Sequence, residues 1–210
     1  MAIRNARDSR TQIFNAAAAE FADHGFEAAG VDRIAAKARV NKAMIYYHFA
    51  SKQGLYVEVL RDMFAAVGRR ARTLADGAGT ATAKIDAWVD AIVEEAAQRP
   101  WFPPIMLREL ASGLVHLDPE TLALLGALYA SVRDIIVQGQ QEGAFDDVDP
   151  LLTHLTIMPS VMVFFVRERA LAKTVKASTQ DVVRPLAAPR TREEFVRHMQ
   201  HAVRGMLRKA

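Results

Sequence analysis

Apolar residues recur at spacings of three and four along most of the chain, and no run alternates with the two-residue period of a strand. Ile13, Ala17 and Phe21, for example, fall on one face of a helix, because four residues make slightly more than one turn. Leu55 and Val59 begin a second apolar stripe of the same kind. The pattern therefore predicts an all-α protein.

Residues with capping preferences indicate where the first helix begins and ends. Ser9 and Gln12 fit a capping box, which predicts that this helix begins at Ser9. Gly25 is expected to end it, because glycine adopts the left-handed conformation that commonly follows a helix. Phe26 would then fold back against Phe21.

Similar signals mark the later helices. Ser51 is expected to cap a long fourth helix, and aspartates followed by proline, Asp118 and Asp149, each precede another. Thr191 and Glu194 form a second capping box. The C-terminal part of the chain is therefore predicted to consist of several further helices.

Two short helices joined by a few residues near Ala38 to Asn41 predict a helix-turn-helix unit. On the second of them, Ile45 and Phe49 lie one turn apart and are expected to face the small core. That orientation turns Tyr46 and Tyr47 outward. The alternative is that either tyrosine packs on the long fourth helix.

Exposed tyrosines next to lysines are typical of a DNA-binding surface. Their hydroxyls can donate to phosphate oxygens, and their rings can pack on sugars or thymine methyl groups. Residues 1–72 contain twelve Lys and Arg but seven Asp and Glu, a net charge of +5, whereas the whole chain carries +3. This excess suits a polyanion-binding module, although a solvated charged surface would have the same composition.

The stretches "IFNAAAAEFADHGFEAAGVDRIAAKARV" and "NKAMIYYHFASKQGLYVEVL" resemble the DNA-binding domain of the TetR (tetracycline repressor-like) family of bacterial transcription regulators. The most specific part is "YYHFASK". The resemblance implies a helix-turn-helix DNA-binding domain at residues 1–56, and an effector-binding and dimerisation domain at 57–210. It implies that the third helix enters the major groove of double-stranded operator DNA. The positions implied to contact DNA are Asn41, Lys42, Ala43, Tyr46, Tyr47, His48 and Lys52.

The sequence departs from this family pattern at three places. Ala29 and Gly30 replace the usual Thr or Ser before the second helix, which removes a side-chain cap and an expected phosphate contact. Arg39 stands where the turn usually has glycine, which has a conformational cost if that residue must adopt positive φ, although its basic side chain could instead reach a phosphate. Met44 replaces a polar residue, so the operator need not be one that relatives read.

The last two helices carry the strongest apolar pattern. Their stripes are Leu151, Leu155, Met158, Met162 and Phe165 on the first, and Phe195, Met199, Ala202 and Met206 on the second. Spacings of four and three are typical of helices that pack side by side. The first helix is also apolar on its other side, through Leu152, Val161 and Phe164, so it needs two apolar neighbours. A second subunit would supply one, and the family resemblance likewise implies a homodimer through these helices; alternatively, both stripes face a single-chain core.

The resemblance also implies a small-molecule effector site in the C-terminal domain. Candidate ligand-binding residues are Trp101, Phe102, Met106, Arg108, Tyr129, Met158, Met162 and Phe165, although large apolar residues also simply fill cores. Polar residues to be sought inside such a pocket are Arg108, Glu109, His116, Arg133 and His154, because a buried polar group needs a partner. Pro159 is expected to kink its helix, and residues 173–190 are expected to form a mobile loop.

Several classes of protein are disfavoured by what the sequence lacks. The absence of cysteine excludes disulfides and thiolate metal sites, and no motif of a known enzyme class or cofactor site is present. The most apolar run, Leu155 to Val166, is too short to span a bilayer, so we expect a cytoplasmic protein without a membrane partner. Two alternatives to a regulator stay open: a dimeric scaffold that binds nucleic acid without specificity, and a metal-binding module using His198 and His201 with His154.

Overall fold

The computed structural model describes residues 2–174 and 188–208. In this part of the chain, α-helices are joined by turns and short connections. The helices are α1 (Ala2–Ala28), α2 (Val31–Ala38), α3 (Lys42–Phe49), α4 (Lys52–Asp76), α5 (Ala81–Gln98), α6 (Phe102–Ala111), α7 (Pro119–Gln141), α8 (Pro150–Thr174) and α9 (Arg192–Leu207). The described residues contain one isolated antiparallel bridge, between Phe145 and Arg208, and no strand. The all-α prediction is confirmed. Most of the predicted loop, residues 175–187, lies outside the described residues.

Helix α1 begins at Ala2, so the predicted start at Ser9 is wrong. The residues before Ser9 include alanine and arginine, which favour helix, and the helix extends through them. Instead of capping, the Ser9 hydroxyl lies 3.1 Å from Nε2 of His48. The end of the helix follows the prediction more closely, because Gly25 has a φ of 74° and the rings of Phe21 and Phe26 stack at 6.3 Å.

The first of two compact units contains Met1–Ala65 and Pro104–Leu124. Within it α1 packs on α2 and α3, and α2 packs on α3. The side chains buried at this junction include the predicted ones: Ile13, Ala17, Phe21, Ile34, Ile45 and Phe49. Burial of such side chains contributes about 1.5–3 kcal/mol each. The predicted helix-turn-helix core is therefore present.

Local hydrogen bonds hold the first turns of α3 and α4. The Asn41 side chain accepts from the backbone N–H of Ala43 at 3.0 Å, and the Ser51 hydroxyl accepts from that of Gly54 at 2.9 Å. Each such cap contributes about 1 kcal/mol. Arg39 has the positive φ of 55° that its place in the turn demands, a conformation that costs a residue with a side chain about 1–2 kcal/mol.

The second compact unit contains Ala66–Pro103 and Leu125–Ala210. Here α5 packs against both α8 and α9, and Trp88 of α5 is fully buried. The predicted caps are present: Asp149 accepts from the N–H of Leu151 at 2.7 Å, and Thr191 and Glu194 form a reciprocal capping box. This division reflects packing, so the functional boundary expected at residues 56/57 stays a prediction.

Helix α8 continues through Pro159, which has no N–H to donate. On either side of it, the hydroxyls of Thr156 and Ser160 donate to carbonyls four residues earlier, at 2.9 and 2.7 Å. Bonds of this kind often bend helices, so they favour the predicted kink.

Two helices are long and apolar enough to cross a membrane when judged by length and composition alone. They are Pro119–Gln141 and Pro150–Leu171, with mean hydropathies of 1.3 and 1.4. Core helices of soluble proteins pass the same test, so it is weak evidence. It does show that the apolar run from Leu155 to Val166 belongs to a longer apolar helix than the sequence suggested.

Candidate nucleic-acid interface and ligand site

The outer face of α3 presents two adjacent tyrosines. Tyr47 is 77% exposed and Tyr46 is 45% exposed, whereas Ile45 and Phe49 beside them are buried. Ala43, one turn before Tyr47, is also exposed. The predicted orientation of α3 is therefore found, and it leaves a surface of phenol rings and a small side chain that can approach another molecule closely.

The basic side chains next to this surface already have partners within the chain. Lys42 bonds Asp32, with Nζ 2.9 Å from Oδ1, and this hydrogen bond raises the pKa of Lys42. Lys52 donates to the carbonyl of Glu27 at 3.1 Å, and its Nζ lies 4.7 Å from the ring centre of Phe26. Any anion that binds here must compete with these contacts.

The other two residues of the predicted DNA surface are partly occupied by structural contacts. Asn41 uses its side-chain oxygen to cap α3, and half-buried His48 faces Ser9 of α1. The structure therefore brings all seven predicted residues to α3 and the adjoining turns. Their contact with DNA stays a prediction.

A buried carboxylate that the sequence analysis missed fixes α2 against α1. Glu20 of α1 is fully buried and accepts from Nζ of Lys37 at 2.8 Å, from Arg33, and from the N–H of Gly30 at 3.4 Å. Burial alone would raise the pKa of Glu20, but the bonds from Lys37, Arg33 and Gly30 outweigh it and lower that pKa. Glu20 thus holds the backbone at Gly30, which has no side-chain cap of its own, next to the start of α2.

A signal for Glu20 was present in the sequence. It continues the buried stripe of Ile13 and Ala17 at helical spacing, and a carboxylate is rare on an apolar face unless it is paired. Its partners lie on a different helix, and the spacing within α1 does not reveal them.

The predicted ligand-binding residues are divided between the two units. Met106 and Arg108 belong to the first, and the second contains Trp101, Phe102, Tyr129, Met158, Met162 and Phe165. Phe102 and Met106 are buried. Arg108 is exposed and donates to the carbonyls of Ala22 at 2.7 Å and Asp23 at 3.3 Å. This arrangement anchors the end of α1 and offers no support for Arg108 as a ligand-binding residue.

Two of the other polar candidates also belong to the first unit. Buried Glu109 accepts from the Tyr56 hydroxyl at 2.6 Å, and its Oε1 lies 2.9 Å from Nδ1 of His116. Burial, followed by the bond to Glu109, raises the pKa of Tyr56. The ring of Tyr56 also meets those of Phe21 and Phe26 at 4.7 and 5.0 Å. Glu109 therefore bonds both Tyr56 and His116 in the first unit, and a role for Glu109 and His116 in binding a ligand stays a prediction.

In the second unit, His154 of α8 lies among aromatic rings. Its ring meets Trp88 of α5 at 6.3 Å and Tyr129 of α7 at 5.7 Å. His154 is 8% exposed, and Nδ1 has no hydrogen-bond partner within the described residues. Burial lowers the pKa of His154 to about 4, so the imidazole is neutral at pH 7. Arg133, by contrast, is exposed and pairs with Asp134.

The apolar face that α8 leaves uncovered differs from the predicted stripe. Leu152 is 63% exposed and Leu155 is 53% exposed, whereas Met162 is buried with only 1% of its surface accessible. The buried face follows His154, Ile157 and Val161, so Met162 turns into the chain's own core. Including Met162 in the face left for a second subunit was therefore wrong. Leu151, Val163 and, on α9, Met206 are also exposed apolar residues.

The three histidines of the metal-binding alternative lie in different environments. His154 is buried beside Trp88, whereas His198 and His201 are exposed on α9. Across residues 2–174 and 188–208, no group of three or more His, Cys, Asp or Glu side chains is arranged to hold a metal ion. The alternative gains no support from this geometry.

Comparisons with known proteins agree with this fold. Residues 13–59 match the family described as "Bacterial regulatory proteins, tetR family". The chain is 32% identical over 153 residues to the HTH-type transcriptional repressor SCO4008 of Streptomyces coelicolor, covering 71% of this chain and 74% of that one. It is 30% identical over 159 residues to the HTH-type transcriptional repressor NicS of Pseudomonas putida, covering 75% and 74%.

Among solved structures, the ketosteroid transcriptional regulator KstR2 of Mycobacterium tuberculosis is similar over the whole chain. The TM-score is 0.73, with 96% of this chain and 95% of that one covered. At 23% identity this likeness concerns the fold alone.

Proposed function

Since the chain belongs to the tetR family of bacterial regulatory proteins, and is therefore a DNA-binding transcription regulator, we propose that it represses transcription from a palindromic operator and leaves that operator when a small molecule binds. The single observation that carries the DNA-binding part is the exposed pair Tyr46 and Tyr47 on α3, inside the matched segment. Repression is supported by the two relatives named as repressors.

In this proposal α3 lies in the major groove. Tyr46, Tyr47 and Ala43 face the bases and sugars, and Lys42 and Lys52 exchange their internal partners for phosphate oxygens. His48 and Asn41 hold α3 in place through Ser9 and the helix cap. Arg39, exposed in the turn before α3, supplies a further phosphate contact.

A palindromic operator follows if two copies of the chain form a two-fold symmetric dimer. Support for the dimer comes from the apolar face of α8, where Leu152, Leu155 and Val163 are more than half exposed. Exposed Met206 extends this face onto α9. A second copy would cover both helices with the same residues of its own, forming a four-helix contact.

We place the effector in the second unit, at the ring cluster of Trp88, Tyr129 and His154. Of the predicted ligand-binding residues, Tyr129 contacts this cluster, and Met158 lies one helical turn after His154 on α8. Since a regulator of bacterial genes acts where the DNA is, we also place the protein in the cytoplasm. No cofactor is needed for this function.

Selection of bound sequences from random double-stranded DNA tests the proposal. A palindromic consensus should emerge, and the purified protein should bind it at least a thousandfold more tightly than unrelated DNA of the same length. A scaffold that binds without specificity would return no consensus, and its affinity would fall with salt but hardly vary with sequence. Transcription in vitro from a promoter that carries the selected site should decrease when the protein is added; an increase would identify an activator.

A further inference from the structure

The ring cluster in the second unit contains a polar atom that the described residues leave unpaired. Nδ1 of His154 is buried and has no hydrogen-bond partner among the described residues. A buried polar group without a partner is destabilising, so such a group is generally paired by a water or a ligand.

The hydrogen-bond donors of Trp88 and of Ser131 already have partners. Trp88 donates its indole N–H to the Ser131 hydroxyl at 2.9 Å, and that hydroxyl donates to the carbonyl of Leu128 at 2.6 Å. Both donors are used, so neither can turn to Nδ1 without breaking a buried bond. Tyr129 meets the imidazole through its ring at a steep angle of 76°.

The surroundings of His154 also favour an uncharged partner. Burial lowers the pKa of His154, and no charged group among the described residues adds to that shift. A carboxylate placed against these rings would lose its hydration and gain no countercharge from Trp88 or Tyr129. An ammonium would also lose its hydration, which attraction to the ring faces offsets only in part. An uncharged donor would lose far less, and it would satisfy the imidazole nitrogen.

We propose that the effector is an uncharged molecule with an apolar, ring-containing body that places one hydroxyl or amide N–H on Nδ1 of His154, next to Trp88 and Tyr129. This inference rests on the proposed function, because it names the chemical class of the effector at that site. The edges and faces of the two aromatic rings provide contacts for the ring of the ligand. His154 orients the ligand by accepting a hydrogen bond from that hydroxyl or N–H.

Three small probes of matched shape test this class. 4-Ethylphenol has the ring and the hydroxyl, 4-ethyltoluene replaces the hydroxyl by a methyl group, and 4-ethylbenzoate replaces it by a charge. Titrations followed by the imidazole ¹⁵N signals of the six histidines should show millimolar binding of 4-ethylphenol, with a shift of the His154 signal. It should bind about fivefold more tightly than 4-ethyltoluene, the effect of one net hydrogen bond. 4-Ethylbenzoate should bind no better than 4-ethyltoluene.

His154→Phe should abolish the preference for the phenol, whereas His198→Phe, a matched change at an exposed histidine, should keep it. If His154→Phe does not fold, the relative affinities of the three probes for the wild-type protein still test the proposal. Equal binding of phenol and toluene would mean that a water satisfies Nδ1 and would overturn the proposal, as would tighter binding of the benzoate or no binding of any probe.

Operator binding measured on the same protein without probe separates this inference from the proposed function. A protein that selects no operator contradicts the function itself. A protein that binds its operator but shows no preference for the phenol contradicts only the effector class.

Discussion

At the scale of single residues, exposure separates side chains that are free to contact DNA from those that hold the fold. Tyr47 is the most exposed large side chain of α3, and Lys52 contacts the carbonyl of Glu27 and the ring of Phe26. Glu20, in contrast, is fully buried with cationic partners. Substitutions in the two groups should therefore affect different properties.

Tyr47→Ala and Lys52→Ala should each weaken operator binding and leave the helical circular dichroism spectrum unchanged. We expect a loss of about 1 kcal/mol for Tyr47, as for one hydrogen bond at a surface. Loss of a phosphate contact at Lys52 should also lower the slope of log affinity against log salt by about 0.9. Arg197→Ala removes one exposed charge from α9 and serves as the control. Unchanged affinity in both α3-region variants would show that α3 is not the recognition helix.

Glu20→Gln should destabilise the protein by about 2 kcal/mol in urea unfolding at pH 7, because hydrogen bonds to charged groups are the stronger ones. Glu27→Gln, at an exposed site on the same helix, should have little effect. The pKa of Glu20 is lowered in the folded state, so its contribution is present above the ordinary value of 4.5 and is lost as pH falls below it. The difference between wild type and Glu20→Gln should therefore narrow at acid pH. If the difference in free energy of unfolding did not change with pH, the charge of Glu20 would not contribute to stability.

At the scale of helices, α8 has two apolar faces with different roles. The face with His154, Ile157 and Val161 is buried within the chain, and the face with Leu152 and Leu155 is exposed. Apolar spacings of four and three residues correctly identified α8 as an apolar helix. The same spacings placed Met162 on the face with Leu155, whereas Met162 is buried in the core.

Leu155→Glu combined with Met206→Glu should give folded monomers, because both side chains are exposed and a charge there would repel the same residue across a two-fold axis. Met162→Glu should instead unfold the second unit, because it buries a charge in the core. Sedimentation and thermal unfolding distinguish the two results. A wild-type protein that is monomeric at micromolar concentration without DNA would contradict the dimer.

At the scale of the whole molecule, α4 contributes residues to both compact units, with Ala65 in the first and Ala66 in the second. One continuous helix therefore links the unit that carries α3 to the unit that carries His154. A ligand can shift the DNA-binding equilibrium only by its differential affinity for the bound and released states.

If an effector lowers operator affinity a hundredfold, the coupling free energy is about 2.7 kcal/mol, and operator DNA must weaken effector binding by the same factor. Calorimetric titration of the effector, with and without saturating operator, should show this loss. Equal affinity in both titrations would show that the compound binds the protein without releasing it from its operator.

The sequence by itself determined the features that depend on neighbours within about one turn of helix. Apolar spacing predicted the helices, and side-chain caps at Ser51 and Asp149 marked the starts of two of them, because a cap joins residues two or three positions apart. The same spacing predicted which way Tyr46 and Tyr47 point. The capping pattern at Ser9 gave a wrong helix start, because the residues before Ser9 also favour helix and α1 begins at Ala2.

Only the tertiary structure decided the features that join residues distant in the chain. Glu20 finds Lys37 on another helix, and Arg108 reaches carbonyls of α1 more than 80 positions away. Likewise, packing against α5 decides which face of α8 is buried, and it isolates Nδ1 of His154 beside Trp88. The reason is physical: a period along one helix shows that a face is apolar, but the neighbours of that face come from elsewhere in the chain.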